Sequence, residues 1–396
     1  MAGFVSKRAS GIEPSITLSL NTKAKNLKEA GEDVIGLAAG EPDFDTPEVI
    51  RKAGIRAIEE GKTRYTPAAG IAPLRKAVAE EYSKILGVPY GWKETVISHG
   101  AKHSIFNALY VLTDPGDEVM ITTPYWVSYP EMIKLVGAVP NIVELSVSDG
   151  FRLTVDRLKA EVEKSRPKAV MLNTPNNPAG TVYSPGDMEA IARYLLDEGI
   201  ALISDEIYEF LVYGGMEHHS PVKLVPELKE QCVVVTGVSK SYAMTGWRIG
   251  FALAGEEVAF RMGAYQAHAT GCPNAISQWA AVEAVKSGGP DRDMMKEAFE
   301  KRRDMFDERL SAIPGIEYPR PGGAFYFFAD VSKLYGKCGV SGSGDFCEKL
   351  LAEKGLLLIP GGPFGCDGMV RFSFAYSEEE LNAALDRFEA FVKEYI

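Results

Sequence analysis

Cysteine is scarce in this chain of 396 residues: five, at Cys232, Cys272, Cys338, Cys347 and Cys366, never in a C-x-x-C pair. An odd, scattered set argues against a disulfide framework or a thiolate zinc site and fits free thiols in a reducing compartment. Histidine is equally scarce, at five. His99 and His103 have the i, i+4 spacing of a metal-binding helix, but only Gly100, Ala101 and Lys102 lie between them. With no catalytic Glu there, a metal is not expected. His218 and His219 fall in a polar stretch and read as solvated. No apolar run reaches the ~18–20 residues needed to cross a bilayer. The N-terminal MAGFVSKRAS has no apolar core of a secretion signal, so a cytoplasmic protein is expected. Positive charge is in deficit: 43 Lys and Arg against 54 Asp and Glu give a net charge of -11. An average surface of that sign repels nucleic acid and anionic lipid, while leaving room for a local basic pocket.

What is present is a soluble globular composition, 46% apolar and 24% charged. A single core usually stops growing near ~250–300 residues, so two domains are expected. Short apolar runs at 95–98, 118–122, 169–173, 201–204, 233–236 and 249–254 read as strands, with helical patterns at 102–112, 187–197 and 256–285 among them. Val170, Met171 and Leu172 in a row mean a strand buried on both faces, as in a mainly parallel sheet covered by helices. The character changes after Ser287-Gly288-Gly289-Pro290. A charged helix at 291–310, strands near 324–328, 356–359 and 370–374, and a final amphipathic helix at 378–395 suggest a smaller α+β part. The expectation is an α/β large domain over 48–287, with 1–47 and 288–396 forming a small α+β domain.

Ligands of open α/β sheets bind beyond the C-terminal strand ends. There the sequence offers Asn173-Thr174-Pro175-Asn176-Asn177, then Asp205-Glu206-Ile207-Tyr208, then Ser239-Lys240 with Arg248, and His99-Gly100-Ala101-Lys102 at a helix start. An amide, a carboxylate, a lysine with an arginine, and a Gly-containing helix N-terminus suit an anionic phosphate and a protonated ring nitrogen. No G-x-S-x-G, Walker A or G-x-G-x-x-G pattern competes.

The string SKSYAMTGWRIG, preceded by NTPNNPAG and SDEIYE, resembles the fold-type I pyridoxal-phosphate aminotransferases of the aspartate aminotransferase class, bacterial aspartate/prephenate branch. GLAAGEPDFDTP, TRYTPAAGIAPLR, PYWVSYPE, PGGAFYFF and VRFSFA match that family in order, over nearly the whole chain. The resemblance implies the PLP-dependent transferase fold and a role for each matched residue. Lys240 would carry the cofactor, and its freed amine would move the proton. Asp205 would pair with the pyridine nitrogen, although an Asp after a strand also suits a helix N-cap. Tyr208 and Asn177 would bind the ring oxygen, although Asn before Pro178 is also turn chemistry. Ser239, Arg248, Gly100, Ala101 and Lys102 would hold the phosphate. Trp126 would stack on the ring, the alternative being a core aromatic. Tyr65 would reach the phosphate in a neighbouring subunit, implying a homodimer with shared sites. Arg371 would clamp the substrate α-carboxylate together with the backbone at Gly40, the alternative being a structural ion pair.

The resembled branch reads a distal carboxylate with a G-x-K lysine and N-terminal hydroxyls, here Lys102, Ser15 and Thr17. That implies transfer from L-aspartate to 2-oxoglutarate by a ping-pong route. Relatives that take prephenate carry a basic residue just before the PSxT segment, where this chain has Glu13, with Lys7 and Arg8 upstream. Aromatic amino acids, alanine or prephenate as substrates remain alternatives, as does a β-lyase on the same fold. A PLP-binding regulator fused to a DNA-binding module is the non-enzymatic alternative. It finds no room before Gly36 and no favourable charge.

Overall fold

Runs rich in β-branched residues build a seven-stranded sheet in the middle of the chain. In the computed structural model, which describes residues 4–12 and 16–396, its strands are β1 (Thr95–Ser98), β2 (Glu118–Thr122), β3 (Val139–Val143), β4 (Ala169–Asn173), β5 (Ala201–Asp205), β6 (Cys232–Gly237) and β7 (Gly250–Leu253). Their spatial order is β1-β7-β6-β5-β4-β2-β3. β7 runs antiparallel to both neighbours, and the remaining pairings are parallel. Val170 and Leu172 join the core on one face, while Ala169 and Met171 join that on the other. Such strands have no solvent face, which is why they read as unbroken apolar runs.

The sequence reading misses β3. Pro140 interrupts it and Val139 and Ile142 are exposed, both permitted by its place at the sheet edge. The stretch 256–285, expected as one helix, is two, Glu256–Ala269 and Ala275–Ser287. Gly271 takes φ +77° between them, and Asn274 caps the second helix by accepting from the Ser277 amide at 2.9 Å.

The later strands are β8 (Tyr326–Asp330), β9 (Ile359–Pro360) and β10 (Met369–Ser373), an antiparallel sheet in the order β9-β10-β8. β8 begins two residues later than expected, because Ala324 sits at φ +57° with its amide on the Leu211 carbonyl. The expected strand 356–359 divides: β9 joins this sheet, whereas Leu356–Leu357 pairs in parallel with Ile35–Gly36. The helices Gly289–Ser311, Ser343–Lys354 and Glu378–Tyr395 cover the small sheet around Phe299, Phe306, Phe327 and Phe388. Residues 38–46 then cross to the large sheet, where Thr46 Oγ1 donates to the Ala243 carbonyl at 2.7 Å. Among the described residues no helix is long and apolar enough to cross a membrane.

Candidate active site

β4, β5 and β6 end side by side at Asn173, Asp205 and Gly237. The next turn after β6, Val238–Ser241, carries Ser239 and Lys240. Because β7 is antiparallel, it starts at this same end, with Arg248 just ahead of it. β1 finishes beside it, Ser98 facing Gly250, and leads through Gly100 into the helix Ala101–Leu112. A cavity of ≈ 500 Å³ opens here, lined by Gly40, Ala101, Lys102, Trp126, Asn177, Asp205, Tyr208, Ser239, Lys240, Arg248 and Arg371 among others. Gly100 itself is not part of the lining but caps the helix that begins at Ala101. Tyr65 is elsewhere, fully exposed beside Arg64 and Cys272. Ser15 and Glu13 lie outside the described residues, as does the side chain of Thr17.

Two glycines bring the helix to the strand ends. A Cβ on Gly250 would lie 2.2 Å from the Ala101 nitrogen. A Cβ on Gly100, whose φ is +88°, would lie 2.5 Å from Arg248 Nη2. The helix therefore presents its first amides, which have no acceptor inside the helix, next to a guanidinium. Arg248 donates to the carbonyls of Thr245 at 2.8 Å and His99 at 3.4 Å. Lys102 Nζ lies 4.7 Å over the Trp126 ring, which meets Tyr129 edge-on.

On the floor, Asp205 accepts from the Tyr129 hydroxyl at 2.5 Å and from the Ile207 amide at 3.2 Å. Burial pushes its carboxyl up to about 6, against the pull of the Tyr129 hydrogen bond. Lys240 Nζ donates to the Gly40 carbonyl. Burial pushes its amine down to about 8, with Glu41 acting in the opposite sense. Glu41 is held by Thr245 Oγ1 at 2.7 Å.

Arg371 closes the far wall. It is 1% exposed, and it donates to Asn177 Oδ1 at 3.1 Å and the Ala38 carbonyl at 3.0 Å. Its Nε has no acceptor, and no acid pairs with it among the described residues. The structural ion pair weighed for it from the sequence is therefore not what holds it. Burial pushes the guanidinium below its ordinary range.

Sequence reasoning assigned no role to Tyr129, Tyr326 or Glu41. Tyr129 follows Trp126 by one helical turn, and Tyr326 sits within the aromatic run Phe325-Tyr326-Phe327-Phe328, so both belong to strings that carry the resemblance. The solvated reading of His218 is corrected. Its side chain is 8% exposed and its Nε2 lies 2.8 Å from Glu206 Oε2, a carboxylate with no exposure at all. A buried anion requires donors, and the polar loop folds inward to supply them, Ser220 Oγ included at 2.8 Å.

A depressed amine and an unpaired guanidinium facing one cavity suit the handling of amino groups on small organic acids. Known proteins point the same way: a sequence profile described as Aminotransferase class I and II matches residues 32–388, and the chain belongs to that family. It is similar to the aspartate aminotransferase of Geobacillus stearothermophilus, 41% identical over 389 residues, which are 98% of this chain and 99% of that one. It is also similar to the aspartate/prephenate aminotransferase of Thermus thermophilus, 42% identical over 387 residues and 97% of each chain. The solved structure of Thermus thermophilus aspartate aminotransferase with maleate matches with a TM-score of 0.92 at 40% identity, covering 98% of this chain and 100% of that one.

Proposed function

We propose that this aminotransferase moves the amino group of L-aspartate to 2-oxoglutarate in two half-reactions, using pyridoxal 5′-phosphate held at Lys240. The observation that carries the reading is Arg371: a buried guanidinium with an unused Nε and, among the described residues, no acid beside it, opening into the cavity that holds Lys240. A buried cation without a counter-ion is costly, so a fold keeps one where an anion arrives with the substrate.

The residues present fit the cofactor. The lining sets Lys102, Lys240, Arg248 and Arg371 against Glu41 and Asp205, an excess of cations for a phosphate and carboxylates. Gly100 leaves open the space where the helix amides and Arg248 meet. Among the described residues Asp205 forms no ion pair, although Lys240 is near enough to favour its charge, and an acid so placed suits a protonated ring nitrogen. When bound, pyridoxal phosphate supplies an electron sink for the bond broken at the substrate Cα.

The chain's residues do the rest. Ser239, Arg248 and the amides of Gly100, Ala101 and Lys102 bind phosphate. Tyr129 orients Asp205. Asn177 has its oxygen engaged by Arg371 at 3.1 Å, so its Nδ2 can donate to the ring oxygen, and the Tyr208 hydroxyl donates there too when it accepts, rather than gives, the hydrogen bond it shares with Tyr326. Trp126 offers a face for stacking. Lys240, about 8 rather than 10.5, holds a neutral fraction near neutral pH and so takes and returns the proton at the substrate Cα. Arg371 and the Gly40 backbone hold the α-carboxylate, and Lys102, with Ser15 and Thr17, reads the distal one. The Thermus aspartate aminotransferase solved with maleate, a dicarboxylate, supports a substrate with two carboxylates. Prephenate appears in the Thermus relative's name, and the acidic Glu13 argues against it here.

A cytoplasmic homodimer belongs to the same reading, as does the division into 48–287 and 1–47 with 288–396. Tyr65, fully exposed, would serve the phosphate of a neighbouring copy.

The test is the visible spectrum of the PLP-loaded protein. Aspartate should bleach the band and 2-oxoglutarate should restore it. A band that ignores aspartate but answers another amino acid would sink the substrate assignment. One that survives Lys240→Ala would sink the cofactor assignment. Pyruvate and ammonia from cysteine-type substrates, without added oxo acid, would indicate a β-lyase.

A further inference from the structure

Tyr326 stands at the centre of the site, yet the chemistry assigned to its neighbours makes no use of it. It opens β8 and is completely buried. Its ring lies under Arg371, the guanidinium carbon 4.3 Å from the ring centroid. Its hydroxyl is 3.0 Å from that of Tyr208, and the two rings meet edge to face at 6.0 Å. Gly40 leaves the approach to this hydroxyl open, since a Cβ there would come to 3.4 Å from it. Among the described residues neither hydroxyl has another hydrogen-bond partner.

Two hydroxyls in a buried pair hold two protons and make one bond between them. Either Tyr208 donates to Tyr326, or Tyr326 donates to Tyr208. Only the second arrangement leaves the Tyr208 proton free to turn into the cavity. A hydroxyl that accepts one hydrogen bond also becomes a stronger donor in the next. Meanwhile the Tyr326 ring supplies a negative face to a guanidinium that has no acid partner among the described residues.

We propose that Tyr326 is a positioning residue that couples the two halves of the site: its ring supports Arg371 for the substrate carboxylate, and its hydroxyl turns the Tyr208 proton toward the cofactor oxygen. This rests on the proposed cofactor and substrate. It separates two contributions of one side chain, because Tyr326→Phe keeps the ring and removes the hydroxyl, whereas Tyr326→Leu removes both.

The probes are succinate, an unreactive dicarboxylate, titrated by calorimetry, and the pH midpoint of the visible band of the PLP-loaded protein. A weaker Tyr208 donor withdraws less electron density from the cofactor, so the proton near Lys240 is held to higher pH. Tyr326→Phe should bind succinate within about twofold of the parent, while the midpoint rises by roughly 0.1–0.3 unit, the effect of weakening a neighbouring hydrogen bond by about 10–30%. Tyr326→Leu should also weaken succinate by about tenfold or more, the loss of a desolvated cation–π contact. A Tyr326→Phe protein whose midpoint stays put overturns the coupling, and so does one that loses succinate as fully as Tyr326→Leu. Should Tyr326→Leu not fold, the split within Tyr326→Phe still decides. A parent that forms no band with PLP sinks the underlying reading instead, a result distinct from a band indifferent to Tyr326→Phe.

Discussion

Replacing Arg371 with methionine should cripple the enzyme and spare the fold. Methionine keeps an unbranched apolar stem between the rings of Tyr326 and Phe364, which lie 4.3 and 5.3 Å from the guanidinium carbon. The protein loses bonds to Asn177 Oδ1 at 3.1 Å and the Ala38 carbonyl at 3.0 Å. Hydrogen bonds to a charged group contribute about 1.5–3 kcal/mol each. Against that, the fold no longer buries an ion without a counter-ion, which costs several kcal/mol. The two effects are of similar size, so the melting temperature should stay within a few degrees of the parent or rise. The substrate has no such compensation. Two charge-assisted bonds from the fork to its carboxylate are worth together about 3–6 kcal/mol, so kcat/KM should fall by roughly 10²–10⁴. Steady-state kinetics and thermal melts on the same preparations read both quantities. A variant that keeps kcat/KM within tenfold, or that melts far below the parent, would refute the claim that this cation is held for a ligand.

Lys240→Met should abolish the aspartate-dependent spectral change. In the cofactor-free protein it should also remove a pH dependence of stability. The folded amine titrates near 8 against 10.5, so the cost of burying it is full below about pH 8 and is relieved as pH rises toward 10.5; urea midpoints of parent and variant should converge across that window. Burial opposes the charge on His218, but Glu206 outweighs it and raises the imidazole above 6.5. The stability this pair contributes is therefore complete at pH 6 and lost as pH rises through the folded value. The deficit of His218→Asn in urea unfolding should be larger at pH 6 than at pH 9, and parallel curves would exclude the ion pair. Gly100→Ala forces a Cβ to within 2.5 Å of Arg248 Nη2 at φ +88°. It should weaken pyridoxal phosphate by about tenfold or more through displacement of a charge-assisted phosphate contact, with little effect on unphosphorylated pyridoxal in the same titration.

The large sheet was legible because its central strands are apolar on both faces, and the site was legible because its residues follow those strands at the ends where ligands bind. What stayed hidden had local causes. β3 is an edge strand carrying Pro140 and lacks the apolar signature of a buried one. The break at Gly271 falls in a stretch whose helical pattern resumes four residues later, at Ala275. His218 looked solvated because burial of a polar loop is decided by a distant partner, Glu206, and no window around His218 contains that fact. Tyr326 falls within an aromatic run, and four aromatics in a row give no sign of which one turns toward a guanidinium.

The segment Asp205–Glu206–Ile207–Tyr208–Glu209 shows how one short stretch serves both fold and chemistry. Asp205 and Tyr208 face the cavity. Glu206 and Glu209 point the other way, into a buried set of donors. Glu206 takes Ser204 at 2.7 Å, Ser220 at 2.8 Å and His218, while Glu209 takes Tyr82 and Thr236. Each rearward carboxyl group is tied to a different element, so the segment cannot rotate without stranding buried polar groups. The protein's net charge of -11 is no obstacle to anionic substrates either. Exposed charges are screened beyond about 8 Å at physiological ionic strength, and a substrate within that range meets the four cations of the cavity rather than the average surface. On the proposed reading, the preference for carboxylates thus resides in a few side chains lining one cavity, of which Arg371 alone is fully buried, and the rearward acids help to keep Asp205 and Tyr208 facing it.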